Sequence, residues 1–275
     1  MNMYSDKNLE KLHKTLKEIL SVIDSLCKKH KIEYFATAGT LLGAVRHSDF
    51  IPWDDDIDVC MYRDDYDKFL EVAKKELPDQ YFCLDFESFK CVPAYFAKIC
   101  KKGTVFVEKE TRKLKYPHCV FVDIMPFDSL PENEKERQKH LKKIRFRYEL
   151  FKSRILWSVS SITPKKKRII GNIVRPMLHI LLLPFSRKHL YNKLLKCLKK
   201  YNYLSKKSYA TYKGKEKLMH PASIILPLKE LKFGDTMIPV PNDYCEVLRR
   251  EFGDFMKLPP VEKRQSHEPY EFKID

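Results

Sequence analysis

Glycine is scarce in this chain, 7 residues in 275, and with only 16 prolines it leaves no long flexible or low-complexity tract. No internal repeat is visible. The first twenty residues are polar and charged and lack the apolar core of a secretory signal, so the chain is expected to be made and kept in the cytosol. Long apolar runs are missing too. The longest, Ile169 to Phe185, is interrupted by Arg175, Pro176, His179 and Pro184 and is at the short limit for crossing a bilayer, where roughly 20 residues are needed. The eight cysteines (27, 60, 83, 91, 100, 119, 197 and 245) show no C-x-x-C spacing. That argues against a disulfide framework or a zinc site and favours buried free thiols. Acidic residues nearly vanish from one stretch: residues 142–215 hold 21 Lys and Arg against Glu149 alone. This segment carries +20, so with a net charge of +16 the remainder is −4. So one-sided a charge suits a polyanion or an anionic membrane surface, or else a set of solvated helix faces.

What is present is ample for a core, with 44% hydrophobic and 12% aromatic residues. Leu9, Leu12, Leu16, Ile19, Leu20, Ile23 and Leu26 recur at three and four and predict an amphipathic helix. A strand is predicted over 34–38, then a turn at Gly39 with Thr40 capping a short helix to Val45. Ile57 to Met61 reads as a strand with Asp56 and Asp58 on one side, and Tyr66 to Leu77 as a helix. Further strands are expected over 81–86, 95–100, 104–107 and 119–125, near Tyr209 and near Ile238. Helices are expected over 132–158, in stretches across 165–201, and over 244–252. The order implies an α+β fold: a mixed sheet core over residues 1–135, a basic helical subdomain over 136–205, and a C-terminal part, 206–275, that completes the core.

The densest chemistry lies in Ala38 to His47 and Ile51 to Val59, where four of the five residues from Asp54 to Asp58 are Asp. Adjacent carboxylates repel one another, and a cation offsets that cost. Two carboxylates from one strand suit Mg²⁺, which takes oxygen ligands and shares them with substrate phosphates. With a third carboxylate, two ions can serve the attacking and leaving oxygens of a phosphoryl transfer. Gly39 and Thr40, before a helix start, allow close approach of a phosphate, and Arg46 adds a cationic donor. An EF-hand reading of Asp54, Asp56, Asp58 and Asp65 fails: Val59 holds the position that requires Gly, and Asp rather than Glu stands at the twelfth.

The run Gly39 to His47 followed by Phe50 to Val59 resembles the signature of the LicD family, which includes fukutin-related proteins. Val122 to Asp128 resembles its second acidic strand. Tyr244 to Pro260, with Arg264 and His267, resembles its C-terminal motif. The likeness covers about residues 30 to 130 and 225 to 270 and omits the basic middle. It implies a nucleotidyltransferase-like fold. It also implies transfer of a phosphorylated alcohol from a CDP-linked donor to a hydroxyl of a glycan or lipid-linked glycan, with release of CMP. Phosphocholine is the first expectation and ribitol or glycerol phosphate the alternative.

On this resemblance Asp56 and Asp58 bind Mg²⁺ or Mn²⁺, and Asp123 is the third carboxylate, serving as metal ligand and catalytic base. Gly39 and Thr40 border the phosphates. Asp128 reads as structural, and Asp54 and Asp55 either orient the site or bind metal. Arg46 is placed with the substrate. His47 reads as a ligand, a base or a surface histidine. Trp53 either stacks on the donor base or packs in the core, and Lys98 either reaches a phosphate or snorkels. Arg249 and His267 either close over substrate or carry ordinary surface charge. A lipid-linked acceptor would place the protein at the inner membrane face. Two rival readings are an RNA-binding nucleotidyltransferase, for which no RNA module is visible, and a non-catalytic scaffold, which the intact Asp56 and Asp58 oppose.

Overall fold

The computed structural model describes residues 6–158, 165–264, 266 and 269–274. It is an α+β fold, a mixed sheet flanked by helices. Helix α1 (Asp6–His30) buries Leu12, Leu16, Ile19, Leu20, Ile23 and Leu26 in the main core, the face that their spacing dictates. The chain continues through β1 (Phe35–Ala36), α2 (Ala38–His47), β2 (Asp58–Tyr62), α3 (Arg63–Glu76), β3 (Tyr81–Leu84), β4 (Ala97–Lys101), β5 (Val105–Val107) and β6 (Phe121–Ser129). Three basic helices follow: α4 (Glu134–Ser153), α5 (Lys165–Leu181) and α6 (Arg187–Leu198). The last part holds β7 (Tyr209–Thr211), β8 (Met219–Pro221), α7 (Ala222–Ile225), β9 (Lys229–Phe233), β10 (Thr236–Val240), α8 (Tyr244–Phe252) and β11 (Glu271–Lys273).

The main sheet runs β1-β2-β6-β4-β3, with β7 and β8 continuing from the end of β6. Among the described residues only β2 and β6 pair in parallel. Strand β6 is the hub. Its first half pairs with β4, its last two residues pair with β7, and Pro126, which cannot donate to a ladder, falls in the gap between these partners. Strand β9 pairs with β10, and β11 returns from the C-terminal segment to pair with β5.

Around α4 and α6 lies a second cluster of buried apolar side chains, including Leu141, Ile144, Phe151, Leu190, Leu194 and Leu198. Arg63, the first residue of α3, joins Asp128 of β6 through Nε–Oδ1 at 2.8 Å and Nη2–Oδ2 at 2.7 Å, both side chains buried. Asn202 Nδ2 donates to the same Oδ1 at 2.8 Å. Asp128 is thus engaged in holding β6 to α3.

Two local expectations are corrected. Thr40 does not cap α2: Thr37 is the N-cap residue, and Thr40 lies inside the helix. Asp56 is not on the strand with Asp58, because β2 begins at Asp58 and residues 54–57 form the connecting loop. A run of like charges resists the close side-by-side pairing that a ladder demands.

Candidate active site

Two aspartates and a lysine lie side by side across three strands. In the β2–β6 register Asp58 is opposite Asp123, and in the β4–β6 register Asp123 is opposite Lys98. Neighbouring strands are about 4.8 Å apart, so Asp58 and Asp123 share one face at repulsive range. The backbone fixes both carboxylates. The Asp58 amide donates to Thr40 Oγ1 at 2.8 Å, and the Asp123 amide donates to the Ile57 carbonyl at 3.0 Å. Thr40 therefore serves the site by holding the start of β2.

Asp123 Oδ1 is buried and has no hydrogen-bond partner among the described residues. Lys98 Nζ lies 3.5 Å from it, beyond a good hydrogen bond. Burial pushes the Asp123 carboxyl up to about 6; Lys98 opposes the shift and Asp58 adds to it. Burial works against the charge on Lys98, but Asp123 and Glu108 outweigh it and raise its pKa. Lys98 is itself buried, with Nζ 3.4 Å from Glu108 Oε2 and 3.3 Å from the Phe121 ring centroid.

Asp58 and Asp123 line a cavity of about 200 Å³, together with Asp55, Asp56, Phe106, Glu108, Glu110, Phe121 and Lys213, while Lys98 stands beside Asp123 without lining it. Among the described residues, the group of three carboxylates whose oxygens lie within 4.8 Å of one another is Asp54, Asp55 and Asp56. The expected trio Asp56, Asp58 and Asp123 shares the cavity without closing to that distance. The donor set is all oxygen, as Mg²⁺ requires, and the unpartnered Asp123 Oδ1 is the kind of atom that a cation would satisfy. A larger open depression of about 950 Å³ lies between α1 and the β9–β10 hairpin, but none of Asp55, Asp56, Asp58 or Asp123 lines it.

The loop that carries the acidic run is held from both sides. A Cβ on Gly39 would come within 2.4 Å of Asp54 Oδ2, so glycine is needed for that carboxylate to rest at the start of α2. From α1, His13 Nε2 pairs with the Asp54 carbonyl at 2.8 Å, and its ring stacks on Phe50 at 3.8 Å. Sequence reasoning passed over His13 as one polar residue on an amphipathic helix.

It also missed Lys213. This residue lines the cavity, and the carboxylates of Asp58, Asp123 and Asp56 raise its pKa despite burial, which acts the other way. Its backbone and that of Gly214 are both left-handed, at φ 58° and 60°. A Cβ on Gly214 would meet Ile144 Cγ2 of α4 at 2.5 Å. The preceding Tyr212 donates its hydroxyl to Glu251 Oε1 at 2.7 Å, and His220 Nε2 meets the same oxygen at 2.9 Å, all three side chains buried. Glu251 of α8 thus anchors the turn that aims Lys213. The one sequence signal was Gly214, one of seven glycines, between two lysines.

Other expected residues lie elsewhere. Arg46 Nη1 donates to the Phe255 carbonyl at 2.7 Å, tying α2 to the C-terminal segment. Trp53 packs against the core, with the Arg264 guanidinium 5.1 Å from its ring and His47 edge-on at 6.4 Å. Neither Arg46 nor Trp53 lines the carboxylate cavity. Arg249 is exposed and pairs with Glu246 at 2.5 Å. His267 lies outside the described residues.

Residues 31–173 match the LicD/FKTN/FKRP nucleotidyltransferase domain. Lipopolysaccharide cholinephosphotransferase LicD of Haemophilus influenzae is 30% identical over 256 residues, 90% of this chain and 91% of that protein. An uncharacterized protein of Rickettsia prowazekii is 32% identical over 138 residues, 47% of each chain. Human ribitol 5-phosphate transferase FKRP is 37% identical over 57 residues, 21% of this chain and 11% of that protein.

Proposed function

This chain belongs to the LicD family and is a phosphotransferase of that type, and we propose that it moves phosphocholine from CDP-choline to a hydroxyl of a cell-surface glycan, releasing CMP. The observation that carries the reading is the Asp58–Asp123–Lys98 register across β2, β6 and β4, with Asp123 Oδ1 buried and without a hydrogen bond among the described residues. The choice of choline rests on the relative that aligns with nearly the whole chain, a cholinephosphotransferase. The lining agrees: Phe106 and Phe121 with Glu108 and Glu110 suit a quaternary ammonium, which binds aromatic faces and anions.

Asp56, Asp58 and Asp123 would hold Mg²⁺ or Mn²⁺, with Asp54 and Asp55 close by. Once bound, such an ion supplies charge neutralisation at the phosphates and polarises the bond to be broken. The chain's own residues do the rest. Lys98, buried beside Asp123, and Lys213, which lines the cavity, bring two positive charges to the face where phosphate charge develops. The cavity is smaller than the ~300–1,000 Å³ of sites that enclose a whole small molecule, so it takes the reacting end of the donor. The acceptor oxygen bonds to the phosphorus that carries the alcohol. The phosphorus–oxygen bond to CMP breaks, and CMP leaves with the electron pair. The hydroxyl proton passes to Asp123, the carboxylate whose Oδ1 accepts no hydrogen bond among the described residues.

The test is CMP release with Mg²⁺ from CDP-choline, CDP-ethanolamine, CDP-glycerol and CDP-ribitol, each with and without a glycan extract. Turnover of CDP-choline is expected, falling by roughly 10²–10⁴-fold in Asp123→Asn. Turnover of CDP-ribitol instead would move the donor and keep the site. Wild-type rates in a folded Asp123→Asn would remove Asp123 from the chemistry.

A further inference from the structure

Helix α5 is turned inside out. On its inward side Arg175 and His179 are buried: Arg175 Nη2 pairs with Glu149 Oε2 of α4 at 2.7 Å, and His179 Nδ1 meets the Ser153 carbonyl at 2.9 Å. On its outward side Ile169, Ile170, Ile173, Met177, Ile180 and Leu181 are 55–69% exposed. An ordinary surface helix buries the apolar stripe and shows the charged one to water. Here the opposite arrangement is fixed by specific polar contacts to α4. The patch continues into Leu183 and Phe185, and Trp157, 58% exposed, stacks on His179 at 4.0 Å. Apolar surface this continuous marks an interaction site rather than scattered exposure.

The charge around the patch chooses the partner. The helix opens on Lys165, Lys166, Lys167 and Arg168, and Arg187 and Lys188 follow the apolar run, inside a segment that carries +20. A second copy of this chain would bring an equally basic segment face to face with the first, since a twofold interface joins the same surface of both subunits. An RNA would answer the charge but not the apolar face. An anionic membrane surface answers both. We propose that α5 lies in the plane of such a surface, its apolar side chains among the acyl chains and Arg168, Arg187 and Lys188 at the headgroups. Among the described residues no helix is long and apolar enough to cross a membrane, so the helix rests on the surface rather than spanning it. Trp157 sits where interfacial aromatics collect. The placement also has a use. Helix α4 carries Tyr148, half-buried and close enough to feel the charges of Lys213 and Asp123, next to Glu149, which grips α5, so one helix separates the membrane face from the carboxylates.

The test is flotation of the full chain with phosphatidylcholine vesicles, with and without phosphatidylglycerol, beside Ile173→Asp/Met177→Asp. Both positions are exposed, so the variant should melt like wild type. The expected result is flotation only with the anionic vesicles, weakened at high salt and cut about tenfold or more in the double variant. Three results would overturn the proposal. One is no flotation of folded wild type. Another is equal flotation of the double variant, which would leave only charge. The third is a wild-type dimer by light scattering that the variant dissolves while neither protein floats, which would assign the face to a second copy.

Discussion

Lys213 is held at φ 58° beside Gly214 at φ 60°, a conformation that costs a non-glycine residue on the order of 1–3 kcal/mol. The surroundings enforce it: Ile144 fills the space a side chain on Gly214 would need, and Tyr212 is tied to Glu251. The return is an ammonium set among Asp56, Asp58 and Asp123. Lys213→Met should lower CMP release by roughly 10²–10³-fold, the scale of losing one preorganised charge at a transition state. The same change should tighten Mn²⁺ binding, by about tenfold, because a competing positive charge leaves the carboxylates. Titration by electron paramagnetic resonance beside a rate assay checks both; a merely structural lysine would weaken both or leave metal affinity unmoved. Asp56 and Asp58 drew notice in the sequence as carboxylates two apart beside a glycine and a helix start, but the spacing did not show that Asp56 lies in the loop before β2 and that Asp123 is the aspartate opposite Asp58. Lys213 was not, because it is one of 21 cations in a segment that gives no sign of which one turns inward.

At the scale of elements, period is what the sequence displays. The α1 face and most strands of the sheet follow from spacing alone. Helix α5 shows the limit of that reasoning: its periodicity was readable, but not which side faces in, since Glu149 and Ser153 of α4 decide it. Helix α4 carries another buried polar residue, His140, edge-on to Tyr201 with its Nε2 unpartnered. Burial, then Lys200 and Lys143, lowers its pKa from 6.5 to about 4. A histidine depressed in the fold contributes stability that is present above its unfolded value and lost as pH falls toward its folded one. The window is therefore pH 6.5 down to about 4. Between pH 7 and 4.5 the wild-type Tm should fall further than that of His140→Phe, by thermal denaturation at both pH values. Parallel losses would show that His140 contributes nothing to the acid sensitivity.

Across the whole molecule, charge and function are separated. The acidic cluster occupies a cavity in the sheet, while the cationic excess lies in the helices inserted between β6 and β7. The C-terminal segment returns to the first half of the chain twice, where Phe255 receives Arg46 and β11 pairs with β5, and within that segment Glu251 anchors the Lys213 turn. Such long-range closure could be suspected from the motif at Tyr244 to Pro260, but its contacts depend on tertiary packing that no local pattern encodes. We propose that the carboxylates converging from β2, β6 and the loop before β2 form one cation site that serves the transfer. Equilibrium Mn²⁺ binding to wild type and Asp58→Asn, followed by electron paramagnetic resonance, decides this. Saturable binding by wild type, weakened at least about tenfold in the folded variant, is the predicted result. No binding by wild type, or equal binding by both, would contradict it.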